Sequence, residues 1–133
     1  MRVLALDYGA ARCGCALSDP TGTLATPLDH VERPGTRRGL GRVAELVAEH
    51  EVDQVVVGLP LTLRGEDSDQ TRETRAWSER LAARIRPVPV ALYDERFTTA
   101  IAARSSGHAR SSEDSRAAAV LLEDWLAAHA GDA

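Results

Sequence analysis

The stretch Arg2–Asp19 reads RVLALDYGAARCGCALSD and predicts a strand, a tight turn and a second strand. Val3–Leu6 is a short apolar run of the kind that fills a strand covered on both faces, and an acid, Asp7, follows it directly. The glycine-bounded segment Gly9–Gly14 then allows the chain to fold back as a hairpin. Asp7 is therefore expected at a strand end, where it either holds a metal ion, alone or with phosphate, or hydrogen-bonds the turn.

The rest of the chain alternates between strand-like and helix-like patterns. Helices are indicated by apolar residues three and four apart, and strands by short apolar runs that end in glycine, proline or acids. A mobile loop rich in serine, glycine and arginine is expected over Ser105–Ser112. The other expected elements are a strand over Thr23–Val31, a helix that follows the breaker Arg33–Thr36 and continues up to His50, a strand over Gln54–Pro60, a helix over Thr71–Arg86, a strand over Val88–Tyr93 and a helix from Ser112 to about His129.

Length and composition restrict the kind of protein. With 133 residues the chain suits a single domain, residues 1–133, that can bury a core without a disulfide or a structural metal. Cys13 and Cys15 are expected to be small buried residues, and Trp77 is expected in the core. The sequence shows no secretion signal and no apolar run of about 20 residues, so a cytoplasmic protein without a membrane partner is expected.

The charge pattern bears on nucleic-acid binding. The net charge of −4 argues against nonspecific electrostatic binding of nucleic acid but leaves room for a local basic patch. All 16 basic residues are arginine, which holds phosphate bidentately, although genome composition explains this equally well.

Three acids come from separate parts of the chain. Asp7 and Glu95 follow predicted strands, and Asp114 precedes the apolar residues of the last helix by steps of three and four. Asp114 is thus expected on the apolar, sheet-facing stripe of that helix, where burial of a carboxylate is costly unless a cation lies beside it. Alternatively, Asp114 is a first-turn acid that the helix dipole favours. If the three converge, Mg²⁺ or Mn²⁺ would relieve their repulsion. Two such ions can activate a water and stabilise the leaving oxygen of a phosphodiester.

Several short motifs follow one another along the chain. They are Asp7-Tyr8-Gly9 followed by Arg12 and Gly14, then Ser18-Asp19, Gly58-Leu59-Pro60, Asp94-Glu95-Arg96-Phe97-Thr98-Thr99, and Asp114 before Ala117-Ala118. In this order and spacing they resemble the YqgF family, also called RuvX, over nearly the whole chain. The resemblance implies an α/β fold of the RNase H-like superfamily, in which a mixed five-stranded sheet is flanked by helices. That sheet consists of a three-strand antiparallel meander plus two parallel strands.

The same resemblance implies a metal-dependent nuclease. Members of the family are proposed to trim the 5′ end of precursor 16S ribosomal RNA, and were earlier proposed to resolve Holliday junctions. RNA is therefore the expected substrate, with branched or single-stranded DNA as the alternative, and Mg²⁺ or Mn²⁺ is the expected cofactor. A monomer and a homodimer are both compatible with the sequence, although a junction resolvase would be expected to dimerise.

Site residues are implied position by position. Asp7, Glu95 and Asp114 match the metal-holding acids of the family. The substrate-binding positions are Arg12 and Arg96 near the scissile phosphate, Gly58 and Pro60 in a strand-end turn, and Thr98, which either caps a helix or contacts phosphate. Asp94 is either a further ligand or an ion-pair partner of Arg96.

Two departures from the family pattern affect the grip on substrate. Ala10 and Ala11 precede Arg12 where the family usually has Thr-Lys, which removes one cation from the turn. The segment between Thr99 and Asp114 also looks shorter and less basic. His108 in that segment is either a proton relay or a solvated surface histidine.

Two other functions compete with a nuclease. The Asp-Tyr-Gly hairpin also resembles the phosphate turn of actin-like ATPases and sugar kinases, but the chain is long enough for only one of their two lobes. A catalytically silent RNA-binding or assembly factor would keep the fold without cleavage. Whether the protein cleaves RNA or only binds it, recognition should rest on phosphate and shape, because few aromatic residues accompany the arginines expected to flank the site. These arginines are at positions 12, 64, 72, 75, 96, 104 and 110.

Overall fold

The computed structural model describes residues 1–62, 64–94 and 110–129, and of residues 110–114 it describes the backbone. Five strands and three helices lie in these ranges. They are β1 (Val3–Asp7), β2 (Arg12–Ser18), β3 (Ala25–Glu32), α1 (Arg37–Glu49), β4 (Gln54–Leu59), α2 (Asp69–Arg84), β5 (Val90–Asp94) and α3 (Arg110–Ala128).

The strands form one mixed sheet in the order β3-β2-β1-β4-β5. β1, β2 and β3 make an antiparallel meander, whereas β4 lies parallel to β1 and β5 lies parallel to β4. A parallel neighbour requires a crossover connection, and α1 and α2 provide the two crossovers. The predicted meander plus two parallel strands is therefore confirmed.

The two faces of β1 bury separate cores. Leu4 and Leu6 pack in a cluster with residues of α1 and α2, whereas Val3 and Ala5 pack in a cluster with residues of α3, among them Leu121. Side chains alternate between the faces of a strand, so an apolar run in β1 supplies both cores. All five residues of β1 are buried, as expected for a strand covered on both faces.

The residues predicted for the core lie in it. Trp77 is 2% exposed, and its indole N–H donates a hydrogen bond to the Pro34 carbonyl at 2.9 Å. Cys13 and Cys15 are both buried, as predicted. Burial of Trp77 with a satisfied N–H explains why this aromatic residue belongs to the core.

Side-chain caps determine where α1 and α2 begin. The Thr36 hydroxyl accepts a hydrogen bond from the Gly39 N–H at 3.0 Å, so α1 begins directly after the predicted breaker. Ser68 and Thr71 form a capping box, in which each side chain accepts from the other residue's backbone N–H. α2 therefore begins at Asp69 and not at the predicted Thr71.

The last helix begins earlier than predicted. α3 already includes Arg110, so the predicted loop over Ser105–Ser112 is wrong for its final three residues, and its earlier part lies outside the described residues. The apolar stripe of α3 is buried as predicted, whereas Arg116 and Glu123 are exposed. In the described ranges, no helix combines the length and the apolar character needed to span a bilayer.

Ser18 and Asp19 stabilise the sheet at the end of β2. The Ser18 hydroxyl is buried and accepts a hydrogen bond from the Val3 N–H at 2.8 Å. Asp19 accepts from the N–H groups of Thr23 and Leu24, and hydrogen bonds from the Thr21 hydroxyl and from this backbone lower the pKa of Asp19 to about 2. Both residues lie at the amino end of β1, at the opposite end of the sheet from Asp7.

The close approach of α1 to the preceding turn gives a stability prediction. A Cβ at Gly39 would lie 2.1 Å from the Arg33 carbonyl oxygen, whereas a Cβ at Gly41 would first meet a flexible arginine terminus, at 3.7 Å. We expect Gly39→Ala to lower the free energy of unfolding by about 1–3 kcal/mol through overpacking. Gly41→Ala in the same helix should raise it by roughly 0.5–1 kcal/mol. Urea denaturation followed by circular dichroism measures both, and equal effects would contradict the packing argument.

Candidate active site

The carboxyl ends of three strands meet at one edge of the sheet. β1 pairs in parallel with β4 and β4 with β5, so these strands end side by side at Asp7, Leu59 and Asp94. β2 begins at the same place, because its Gly14 is paired with Asp7. In open α/β sheets, ligands bind outside the carboxyl ends of strands. We call this region the site edge.

Asp7 is buried at the site edge between two glycines. It is 6% exposed, and strand alternation places its side chain on the face of Val3, which α3 covers. Gly14 is paired with Asp7 on one side, and Gly58 lies beside it on the other, because Leu6 is paired with Val57. Glycine is the residue that allows a ligand to approach backbone closely. The carboxylate therefore has neighbouring positions without side chains on both flanking strands.

The first turns of α3 lie near the site edge. The Ser115 hydroxyl donates to the Leu28 carbonyl at 2.5 Å and accepts from the Cys15 N–H at 3.4 Å. Cys15 is paired with Leu6, the residue before Asp7. Asp114 directly precedes Ser115 in the helix, and the carboxyl-terminal part of α3 lies with Val3 at the other end of the sheet. The fold therefore brings the backbone of Asp114 toward the end of β1 that carries Asp7.

Several of the predicted site residues lie outside the part of the chain that the structure describes. Glu95, Arg96, Thr98 and His108 lie outside the described residues, as does the side chain of Asp114. Among the described side chains, no three from His, Cys, Asp and Glu lie close enough together to hold a metal ion. The described part of the predicted carboxylate set is Asp7, a hard oxygen donor of the type that Mg²⁺ and Mn²⁺ prefer.

Asp94 lies on the opposite face of the sheet from Asp7. Val90 packs against the core under α1 and α2, whereas Tyr93 packs against the core under α3. By alternation, Asp94 shares the face of Val90. This position argues against Asp94 as a ligand that shares a metal with Asp7.

Arg12 and the turn after β4 complete the described part of the predicted site. Arg12 is the first residue of β2 and is exposed, on the same face of the sheet as Asp7 by strand alternation. Gly58 is buried in β4, next to Asp7. The Pro60 carbonyl accepts a hydrogen bond from the Thr71 hydroxyl at 2.6 Å. The turn is therefore tied to the start of α2 by this residue.

Two of the arginines expected to flank the site are engaged in local ion pairs. Arg72 pairs with Asp69 in the first turn of α2, and Arg75 pairs with Asp67 at 3.2 Å. Arg64 is exposed in the loop between β4 and α2. Ion pairing reduces the positive charge that Arg72 and Arg75 offer to a phosphate in this structure, and their contribution to substrate binding stays a prediction.

Tyr8 anchors the site edge from the other face, a role that motif spacing did not reveal. Its ring packs against Trp77 with centroids 4.8 Å apart. The pKa of the Tyr8 hydroxyl is raised to about 12, mainly by burial and secondly by a hydrogen bond to Glu73 of α2. Arg80 in the same helix donates to the Gly35 carbonyl at 3.0 Å. α2 thereby fixes the residue that follows Asp7. The only signal in the sequence was an aromatic residue directly after the acid.

The raised pKa of Tyr8 gives a prediction at alkaline pH. The chain has two tyrosines and no lysine, so an ultraviolet titration of tyrosine is simple to interpret. Because the folded pKa of about 12 lies above the value of about 10 in an unfolded chain, the unfolded state loses this proton first. The contribution of the protonated Tyr8 hydroxyl to the free energy of unfolding is complete below pH 10 and is lost as the pH rises toward 12. Tyr8→Phe should remove the late titration step, and a late step that persists in this variant would contradict the assignment.

Comparison of the chain with known proteins identifies its relatives. A family model described as "RuvX: Holliday junction resolvase" matches residues 1–128. A Mycobacterium leprae protein and a Mycobacteroides abscessus protein, both named as candidate pre-16S rRNA nucleases, are each 44% identical to it. The matches cover 94% of this chain and 72% and 80% of the two relatives.

A solved structure shares the fold. RuvC of Thermus thermophilus, in complex with a Holliday junction substrate, superimposes with a TM-score of 0.62 at 18% identity. The superposition covers 98% of this chain and 96% of the other. The RNase H-like fold implied by the sequence motifs is therefore confirmed, and both the family model and the 44% identical relatives show that this chain belongs to the RuvX family.

Proposed function

We propose that this chain is a metal-dependent nuclease that hydrolyses phosphodiester bonds at the site edge and processes the 5′ end of precursor 16S ribosomal RNA. The observation that carries the proposal is the placement of Asp7, a buried carboxylate at the carboxyl end of the central strand with glycine on both flanking strands. A carboxylate in this position needs a cationic partner or strong hydrogen bonds. The names of the 44% identical relatives support ribosomal RNA as the substrate.

The residues proposed to hold the metal are Asp7, Glu95 and Asp114. Their oxygen donors suit Mg²⁺ or Mn²⁺, and a bound ion of this type supplies an activated water and stabilises the leaving oxygen. The carboxylates would hold the ions at the site edge and would form no covalent bond to the substrate. This proposal is supported by the start of α3 near β1 and by the position of Glu95 directly after β5.

Substrate-binding roles follow for the other predicted residues. Arg12, exposed on the face of Asp7, is proposed to contact a phosphate near the scissile bond, together with Arg96 and Thr98. Gly58 is proposed to let the nucleic-acid strand approach Asp7, and Pro60 fixes the turn that follows β4. A precursor ribosomal RNA as substrate would place the protein in the cytoplasm.

A Holliday junction nuclease is the second candidate function. The description of the matching family model favours it, and the RuvC fold is compatible with it. A resolvase makes paired cuts in a two-fold symmetric junction and would therefore act as a homodimer. Trimming of ribosomal RNA requires a single site, so a monomer would suffice.

Asp7→Asn tests the site. The substitution keeps the size of the side chain and removes its charge, so we expect metal-dependent RNA cleavage to fall by at least about a hundredfold while RNA binding stays largely unchanged. Asp19→Asn is the matched control, because Asp19 lies at the opposite end of the sheet and should leave cleavage near the wild-type rate. Undiminished cleavage by Asp7→Asn would point to a contaminating nuclease and would remove the support for this site.

Choice of substrate is tested separately. End-labelled single-stranded RNA, single-stranded DNA and a four-way junction of matched sequence are incubated with Mg²⁺ or Mn²⁺ and with wild type or Asp114→Asn. Cleavage of RNA that the variant loses is the expected result. Symmetric paired cuts in the junction would instead support the resolvase, and binding without any cleavage would support a silent RNA-binding factor.

A further inference from the structure

A group of exposed arginines lies beside the site edge, next to the proposed catalytic region and separate from it. Arg33 follows β3, and its N–H donates to the Ala11 carbonyl at 2.9 Å, in the turn that leads to Arg12. Arg37 and Arg38 open α1, a few residues later. β3 is the second strand from β1, so with about 4.8 Å between neighbouring strands it lies on the order of 10 Å from the strand that carries Asp7. We call Arg33, Arg37 and Arg38 the β3–α1 arginine surface.

The three side chains are exposed and unpaired within the part of the chain that the structure describes. None of them takes part in a salt bridge with a described residue, whereas Arg42, farther along α1, pairs with Glu45 and Glu49. A positive surface of this kind stands out in a chain whose net charge is −4. It is therefore not explained as the counterpart of neighbouring carboxylates.

One carboxylate borders this surface. Glu32 accepts a hydrogen bond from His30, which is the main cause of its lowered pKa, and the positive charges of Arg12 and Arg33 lower it further. Arg12 is paired with Glu32 across β2 and β3, and Arg33 is hydrogen-bonded to Ala11, so the surface borders the predicted phosphate-binding region around Arg12. A single carboxylate already bonded to His30 does not neutralise it.

The arginines stand where local energetics disfavour them. The first turn of α1 holds no acidic residue, and the helix dipole disfavours the positive charges of Arg37 and Arg38 there. Arg33 has φ 42°, a left-handed conformation that glycine adopts at lower cost. A bound anion would offset the unfavourable charges. A cleft of about 370 Å³ is available beside them, lined by Glu32, Arg33, Thr36, Arg38 and Gly39.

We propose that the β3–α1 arginine surface binds the sugar-phosphate backbone of the RNA where the cleaved strand continues past the site edge. Guanidinium groups bind phosphates bidentately, and three exposed ones within six residues of chain beside the site match a charged polymer better than one small anion. The surface thus contributes affinity and register and takes no part in the chemical step. The inference rests on the proposed function for the identity of the RNA, but its test does not require cleavage.

The experiment compares two triple variants that lose the same charge. The test variant is R33Q/R37Q/R38Q, and the matched control is R2Q/R42Q/R86Q. Arg2 lies before β1 at the opposite end of the sheet from Asp7, Arg42 pairs with Glu45 and Glu49, and Arg86 follows the end of α2. Binding of a single-stranded RNA from the 5′ side of 16S ribosomal RNA is measured by fluorescence anisotropy, with a chelator present and over a range of salt concentrations. Melting temperatures verify that both variants fold.

We expect the test variant to bind about tenfold more weakly than wild type at low salt. Its slope of log affinity against log salt should fall by roughly 2, because each lost contact with single-stranded RNA removes about 0.7. The control should retain the wild-type slope. R33K/R37K/R38K should restore most of the slope, since lysine keeps the charge. In cleavage assays, KM should rise while kcat at saturation is unchanged.

The outcomes separate this inference from the proposed function. Equal slopes for the test variant and wild type would overturn the surface, as would wild-type protein that binds no RNA. If wild type binds RNA and the test variant has the reduced slope, but wild type cleaves no RNA, the surface would be supported and the nuclease rejected. If R33Q prevents folding, R37Q/R38Q provides the same test with an expected slope change of roughly 1.4.

Discussion

The position of β1 in the sheet is the constraint on which the site depends. β1 is hydrogen-bonded on both sides, to β2 and to β4, and its two faces are buried under different helices. A shift of the register by one residue would exchange those faces and move Asp7 from the α3 side to the side of α1 and α2. Burial of Val3, Ala5, Leu4 and Leu6 resists such a shift, so core packing holds the carboxylate where the strand ends.

Two neighbouring residues at the end of β1 have separate tasks. Asp7 faces α3 between glycines of β2 and β4, whereas Tyr8 packs on Trp77 of α2 on the other face. The polar group that must stay accessible to a ligand is thereby separated from the residue that fixes the backbone. This division explains how a buried strand end can be rigid on one face and chemically available on the other.

Much of the architecture could be predicted from patterning, because each element has a strong local signal. Apolar runs of four to six residues gave the strands, and three- and four-residue spacing gave the helices, including the buried stripe of α3. Errors arose where a cap or a neighbouring element decides. Ser68 starts α2 two residues before the predicted Thr71. The two alternatives for Asp94 could be weighed only from the sheet, in which Asp94 lies on the opposite face from Asp7. The ion pairs of Arg72 and Arg75 likewise depend on side-chain geometry that spacing does not reveal.

The sequence by itself determined the order of strands and helices, the burial of β1 and the presence of an acid at its end, because these depend on periodicity and on the chemistry of neighbouring residues. Only the tertiary structure decided which residues meet. Pairing of β1 with both β2 and β4 set Gly14 and Gly58 beside Asp7, and packing of α3 brought the backbone of Asp114 toward the same edge. It also gathered Arg33, Arg37 and Arg38 next to the turn before Arg12. These neighbours are distant in sequence, and strand register and helix packing, not local propensity, bring them together.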